Sequence, residues 1–185
     1  EAVLHETSKR LKEKMTALIN EKKISDKSRV LFVDDGSKDK TWGIIEELHS
    51  NDDLFSGLKL SRNKGHQNAL LAGLMTAKDL ADISISMDAD LQDDINVVDQ
   101  FVDKYHDGCD IVYGVRSSRK TDTVFKRGTA GMFYKFMRLL GVDIIDNHAD
   151  YRLISKRALE ALSQFKEVNL FLRGIVKQIG FKSDI

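Results

Sequence analysis

The stretch ISISMDADLQDD, residues 83–94, joins a short apolar segment to a cluster of acids and amides. Residues 83–87 have the length and the apolar composition of a buried strand. The eight residues 87–94 then contain five acids or amides. Carboxylates this close together repel one another and are costly to bury, so the cluster requires a positive counter-charge.

Strands and helices alternate on both sides of this stretch. Apolar side chains at helical spacing predict a surface helix over residues 2–22, and turn residues separate the later elements. Such alternation implies βαβ crossovers, and therefore an α/β fold with a mainly parallel sheet and helices on both faces. The predicted strands cover residues 29–33, 58–61, 83–87 and 110–115, and the helices between them cover 41–48, 66–80 and 95–105.

The composition fits one globular domain over residues 1–185. With 42% hydrophobic and 31% charged residues, the chain is too apolar to be disordered. Its 29 lysines and arginines balance its 29 aspartates and glutamates, so nothing indicates a nucleic-acid partner. The lone cysteine, Cys109, excludes an internal disulfide and a cysteine-based zinc site. No apolar run is long enough to span a bilayer, and we expect the chain as given to be soluble.

Asp88 and Asp90 are candidate metal ligands. They follow the predicted strand 83–87, and in α/β sheets ligands bind outside the carboxyl ends of the strands. Because the two residues are two positions apart, extended backbone would project both carboxylates to the same side. A hard divalent cation, Mg²⁺ or Mn²⁺, prefers such oxygen ligands. The alternative is that Asp90 or Asp93 caps the helix that follows.

Asp34 and Asp35 follow an earlier strand and begin the sequence Asp34-Asp35-Gly36-Ser37. A carboxylate at a strand end can accept hydrogen bonds from a nucleobase N–H or from ribose hydroxyls. A simple tight turn explains the same residues when they are taken alone. The second acidic cluster at the same edge of the sheet favours a nucleotide site.

Four segments carry a resemblance to a known family: VDDGSKDKT (33–41), SRNKGHQNALLAGL (61–74), MDADLQD (87–93) and NHADYRLISKRAL (147–159). In this order they resemble the family 2 glycosyltransferases of GT-A fold. They are most similar to the polyprenyl-phosphate branch, which includes dolichol-phosphate mannose synthases and undecaprenyl-phosphate glucosyltransferases. The resemblance implies inverting transfer of a sugar from UDP-glucose, or a similar nucleotide diphosphate sugar, to a polyprenyl phosphate for cell-wall or surface glycan assembly.

The resemblance also implies roles for particular residues. Asp88 and Asp90 match the family's metal-binding D-x-D motif, and Asp150 matches its candidate catalytic acidic residue, usually labelled a general base. The family's chain usually begins with a strand that helps to hold the nucleotide, so we expect that strand to be missing and the domain to be truncated at both ends. The residues expected to bind the donor are Asp34, Asp35, Asn63, Lys64 and Asp88.

The role of Asp150 depends on the acceptor. A phosphate monoester has a second pKa of about 6, so it is already a nucleophilic dianion at neutral pH and needs no strong base. Asp150 would then orient the acceptor or support the metal, whereas a sugar hydroxyl would need a general base. The structural alternative is an acid that pairs with Arg152 or caps a turn. Arginine forks suit phosphate oxygens, and the candidates for binding the acceptor are Arg116, Arg119, Arg127 and Arg152.

Residues 124–140 have the pattern of a basic amphipathic helix. Such a helix can lie in a membrane surface, although periodicity alone fits a core-facing helix equally well. The resemblance favours the membrane, and we therefore expect the protein at the cytoplasmic face of a bacterial plasma membrane.

The sequence leaves the oligomeric state open. Three other functions also remain open: transfer to a saccharide hydroxyl, a metal-dependent nucleotidyltransferase, and a domain that binds nucleotide sugar without catalysis.

Overall fold

The structure, a computed structural model, describes residues 1–115, 148–165 and 172–185. In these residues the helices are α1 (Leu4–Asn20), α2 (Thr41–Asn51), α3 (His66–Lys78), α4 (Val98–His106), α5 (Lys156–Leu162) and α6 (Leu172–Gln178), and a 3-10 turn (Ile95–Val97) precedes α4. The strands are β1 (Val30–Asp34), β2 (Phe55–Lys59), β3 (Ile83–Ser86), β4 (Ile111–Val115), β5 (His148–Ser155) and β6 (Ser183–Asp184).

The strands of the described residues form two hydrogen-bonded sheets. In the first sheet β1 and β2 are parallel, with Val30 opposite Phe55. The second has the order β3-β5-β4-β6. Strand β5 is antiparallel to both β3 and β4, which therefore run in the same direction, and β6 is parallel to β4. Helix α3 contacts both β1 and β3 and so packs against both sheets.

Strand β5 presents alternate residues to the two faces of its sheet. Tyr151 and Leu153 pack against α4, whereas Ile154 packs against α3 and α5. Because side chains alternate along a strand, Asp150 and Arg152 share the face of Ile154. This alternation brings two charged residues of a buried strand to the side of the sheet that α3 covers.

The α/β prediction is confirmed, and most predicted elements lie within a few residues of the observed ones. The strand predicted at 58–61 is β2, which begins at Phe55. Gly57 made this strand hard to recognise, yet it is required there because a Cβ would lie 2.5 Å from Cγ2 of Ile45 on α2. The helix predicted at 95–105 begins as the 3-10 turn and continues as α4. The sequence did not predict the antiparallel strand β5, which departs from an otherwise parallel arrangement.

Candidate active site

The turn after β1 is fastened to the loop before α3. Asp35 accepts hydrogen bonds from two backbone amides, Lys64 N at 2.6 Å and Gly65 N at 2.9 Å. At Gly36, which has a φ of +73°, a Cβ would lie 2.7 Å from the backbone of Arg62, so only glycine fits this approach. Two of the sequence motifs therefore form one structural unit.

The predicted donor-binding residues of this unit differ in exposure. Asp34 is buried, and its Oδ1 accepts a hydrogen bond from Ser37 N at 3.0 Å. Its Oδ2 is also buried and has no hydrogen-bond partner among the described residues. Such an oxygen commonly binds ordered water or a ligand. Asn63 and Lys64 are exposed, and Asn63 Oδ1 accepts a hydrogen bond from Gly65 N at 3.1 Å.

Asp88 follows β3 and is a partly buried acid in a cluster of other acids. Burial raises its pKa, and the nearby charges of Asp93, Asp90 and Asp150 raise it further, whereas His66 lowers it. Asp90 is exposed, and its Oδ1 accepts a hydrogen bond from Gln92 N at 3.0 Å. The arrangement leaves acidic oxygens close together at the surface.

The rest of this acidic loop has structural roles. Asp94, rather than Asp90 or Asp93, caps the 3-10 turn, since its Oδ1 accepts a hydrogen bond from Asn96 N at 2.9 Å. Leu91 has a φ of +61°, an uncommon conformation for a residue with a side chain. A further contact comes from α1, where the buried Thr7 places its hydroxyl 2.8 Å from the carbonyl oxygen of Ala89.

The donor set of Asp88 and Asp90 fits a hard divalent cation. Neither carboxylate forms an ion pair with a lysine or arginine of residues 1–115, 148–165 or 172–185. The same ranges contain no group of three or more histidines, cysteines or acids able to hold a metal. A cation held by two carboxylates keeps positions for water and for phosphate oxygens, which is the usual coordination of Mg²⁺ at phosphate sites.

Asp150 lies on β5, buried among polar side chains of three elements. Its Oδ1 pairs with Arg152 Nη2, and both side chains are buried, with exposed fractions of 5% and 1%. Its Oδ2 lies 3.0 Å from His66 Nε2 and 3.5 Å from Gln67 Nε2 at the start of α3. Ser86 on β3 donates a hydrogen bond to the Asp150 carbonyl oxygen at 2.5 Å. The contact between Asp150 and Arg152 is the ion pair that the sequence offered as the structural alternative.

The structure brings together residues from all four sequence motifs. Sequence reasoning did not select His66 or Thr7, because their partners Asp150 and Ala89 lie 84 and 82 positions away. The predicted acceptor contacts Arg116, Arg119 and Arg127, and the predicted membrane helix at 124–140, lie outside the described residues. Among the helices that are described, none has the length and apolar character needed to cross a bilayer.

The site thus consists of acidic loops after β1 and β3, the start of α3 and a buried acid on the neighbouring strand β5. The chain belongs to glycosyl transferase family 2, whose model matches residues 2–163. The predicted family and GT-A fold are thereby confirmed. Members of this family generally depend on a divalent metal ion.

Several curated relatives are similar over most of this chain. An uncharacterized glycosyltransferase of Bacillus subtilis (strain 168), YkoT, is 58% identical over 183 residues, which are 99% of this chain and 54% of the relative. A prophage bactoprenol glucosyl transferase homolog of Escherichia coli (strain K12) is 41% identical over 84% of this chain and 51% of its own length. The bactoprenol glucosyl transferase of Shigella phage SfV is 40% identical over 84% of this chain and 50% of its own length. The chain thus spans about half the length of the curated relatives it matches.

Proposed function

We propose that residues 1–185 are one catalytic domain that transfers a hexose from a nucleotide diphosphate sugar to a polyprenyl phosphate with inversion. The observation that carries this proposal is the contact of Asp150 on β5 with His66 at the start of α3, beside the end of β3 that leads to Asp88. Relatives named as bactoprenol glucosyl transferases support a polyprenyl acceptor and glucose as the sugar. The donor in this proposal is UDP-glucose. Assembly of a cell-wall or surface glycan would use such a product.

On the donor side, Asp88 and Asp90 would hold Mg²⁺ or Mn²⁺. A cation bound there would supply positive charge that stabilises the leaving diphosphate. Asp35 keeps the loop at Lys64 and Gly65 in place, and the preceding Asp34 has a buried Oδ2 with no hydrogen-bond partner among the described residues. Together with Asp88, the donor-binding residues in this proposal are Asp34, Asp35, Asn63 and Lys64.

On the acceptor side, no strong base is required because the lipid phosphate is already a dianion at neutral pH. Asp150 orients the acceptor instead, and its ion pair with the buried Arg152 supports this role. A carboxylate whose charge is matched by an arginine repels an approaching phosphate less than a bare one does. Arg152 thus acts on the acceptor through Asp150. Further cationic contacts to the acceptor phosphate are proposed at Arg116, Arg119 and Arg127.

The acceptor is a membrane lipid, so the domain works at a bilayer surface. We assign this contact to residues 124–140, whose basic and apolar side chains alternate at helical spacing. The expected location is the cytoplasmic face of the bacterial plasma membrane. Relatives that act on bactoprenol support this location, since bactoprenol is itself a membrane lipid.

The test is transfer by the purified full-length protein from radiolabelled UDP-glucose, UDP-N-acetylglucosamine or GDP-mannose, each offered with a short-chain polyprenyl phosphate. We expect a glycolipid product with UDP-glucose, its loss on chelation of divalent ions, and its recovery when Mg²⁺ or Mn²⁺ is added back. Transfer to a free saccharide but not to the lipid phosphate would favour the hydroxyl-acceptor alternative. Release of pyrophosphate would indicate a nucleotidyltransferase, and donor binding without turnover would indicate a non-catalytic domain.

A further inference from the structure

His66 occupies the exposed end of a pair whose other member is buried. Its side chain is 56% exposed, whereas that of Asp150 is 5% exposed, and Nε2 of the ring lies 3.0 Å from Asp150 Oδ2. We propose that His66 is the residue of this pair that contacts the acceptor phosphate, and that Asp150 is a positioning residue that acts through it. This inference rests on the proposed transfer to a phosphate acceptor.

The surroundings of Asp150 favour an indirect role. Its Oδ1 is paired with Arg152, and its Oδ2 is covered by His66 and Gln67. An acceptor arriving from solvent therefore meets the imidazole before it meets the carboxylate. Electrostatics acts in the same direction, because a phosphate dianion is repelled by a carboxylate and attracted by a hydrogen-bond donor.

The imidazole has one ring nitrogen available for the acceptor. An ionised carboxylate only accepts hydrogen bonds, so the ring donates from Nε2 to Asp150. Nδ1 has no hydrogen-bond partner within the part of the chain that the structure describes. In the protonated ring Nδ1–H donates to a phosphate oxygen. Asp150 thus fixes the plane of the ring and leaves its other nitrogen for the ligand.

The position of His66 also suits the chemistry of transfer. The attacking phosphate must reach the sugar carbon that is bonded to the diphosphate, so its contacts must lie near the group that holds the diphosphate. His66 contacts Asp150 on β5, and Ser86, two residues before Asp88, donates a hydrogen bond to the Asp150 carbonyl oxygen at 2.5 Å. The imidazole therefore contacts β5 beside the end of β3 that leads to the proposed metal ligand.

Hydrogen bonds on both sides of His66 hold the beginning of α3 in place. Asp35 binds the backbone amides of Lys64 and Gly65, directly before the helix. Gln67 uses both ends of its amide, since Oε1 accepts from Leu172 N at 3.3 Å while Nε2 faces Asp150. The contacts that fix the turn after β1 therefore also fix the residue that faces the acceptor.

The transfer step balances without a proton acceptor. One acceptor phosphate oxygen forms a bond to the anomeric carbon of the sugar, and the bond from that carbon to the diphosphate oxygen breaks. The electron pair of the broken bond leaves with the nucleoside diphosphate. His66 contacts a phosphate oxygen that does not attack, so it takes no part in the bond changes.

Two substitutions of His66 in the full-length enzyme separate contact with the acceptor from contact with Asp150. Glutamine places an amide close to the position of Nε2, and asparagine places one close to the position of Nδ1. We expect His66→Gln to raise the KM for a short-chain polyprenyl phosphate by about 10- to 100-fold, the loss expected for a hydrogen bond to a charged group. The KM for the sugar donor should stay within about twofold, and His66→Asn should retain more acceptor affinity than His66→Gln. A purely structural role would give the opposite order, since only glutamine preserves the contact with Asp150.

His106→Gln is the matched control. His106 lies at the end of α4, is also exposed, and bonds through Nε2 to the backbone carbonyl oxygen of Lys23 at 3.1 Å. This variant should leave both KM values unchanged. The double variant His66→Gln with Asp150→Asn should bind the acceptor no more weakly than His66→Gln alone if Asp150 acts through His66.

Binding of the same lipid phosphate without donor, followed by calorimetry, provides a readout that does not depend on turnover. If the wild type binds the lipid phosphate and His66→Gln binds it more weakly, the result supports the role of His66 even if the donor sugar has been misassigned. Acceptor affinities within twofold of wild type in His66→Gln, or a rise in donor KM alone, would overturn the proposal. A wild-type protein that transfers sugar only to saccharides contradicts the proposed function, and a wild-type protein that does not bind the lipid phosphate contradicts both.

Discussion

Asp88 and Asp150 are neighbouring carboxylates with opposite electrostatic surroundings. Asp150 is the more deeply buried, yet Arg152 and His66 bind its two oxygens. Asp88 lies at the end of β3 without an ion pair to a lysine or arginine of the described residues, and burial and other acids raise its pKa. A buried charge is tolerated when the fold itself supplies the partner. The contrast indicates that folding completes the surroundings of Asp150, whereas a bound ligand must complete those of Asp88.

Replacing Asp88 tests this contrast with the largest expected effect. We expect Asp88→Asn to lower kcat/KM by about 100-fold or more, because metal-assisted stabilisation of a leaving diphosphate is worth several kcal/mol. The melting temperature without metal should be unchanged or raised, since the substitution removes a charge that burial and its neighbours disfavour. Steady-state kinetics and thermal unfolding of the same preparations measure both quantities.

Asp107→Asn provides the control for this experiment, because Asp107 is exposed at the end of α4. It should change neither activity nor melting temperature. Activity of Asp88→Asn close to wild type, or a marked fall in its stability, would mean that Asp88 is a structural residue and not a metal ligand.

Asp110 is a buried acid with a structural role and extends the comparison to a third carboxylate. It directly precedes β4, at the end of that strand away from the site. Hydrogen bonds from Arg157 and Ser155 hold its pKa below the usual value of 3.8. We expect Asp110→Asn to lower the free energy of unfolding at pH 7 by about 1–3 kcal/mol, the cost of removing one partner from a buried hydrogen-bonded group. Below the melting transition its activity should match that of the wild type.

The pH dependence of this loss has a definite sign. The folded pKa of Asp110 is lower than the unfolded one, so the ionised acid stabilises the protein above pH 3.8, and this contribution disappears as the pH falls below that value. Denaturant unfolding of the wild type and Asp110→Asn should therefore give curves that converge in acid. A difference in stability that persists unchanged at low pH would show that shape rather than charge accounts for the loss.

The short-range features of this site could be predicted from sequence, and the long-range ones could not. A strand followed by acids is visible within ten residues, which is why the loops at Asp34 and Asp88 were predicted at strand ends. Strand β5 pairs Ile83 with Ser155, and nothing local in the sequence specifies that partner. The contact between His66 and Asp150 depends on the same pairing. His66 could have been suspected only because it stands inside a motif, at the start of a helix.

The smallest expected effect concerns how the acidic loop is held. The Thr7 hydroxyl lies 2.8 Å from the Ala89 carbonyl oxygen and 2.9 Å from that of Val3. One hydroxyl proton is thus shared between two acceptors, and it links α1 to the loop between Asp88 and Asp90.

Thr7→Val keeps the shape of the side chain and removes this proton, and we expect a loss of about 1 kcal/mol in the free energy of unfolding. The KM for the donor should rise several-fold with little change in the acceptor KM, because the loop backbone carries the carboxylates proposed to bind the metal and not the proposed acceptor contact. Thr76→Val on α3 removes an exposed hydroxyl that bonds only within its own helix, to Ala72 O at 2.9 Å, and should change neither constant. Equal changes in both KM values for Thr7→Val would mean that α1 supports the whole site rather than the donor side alone.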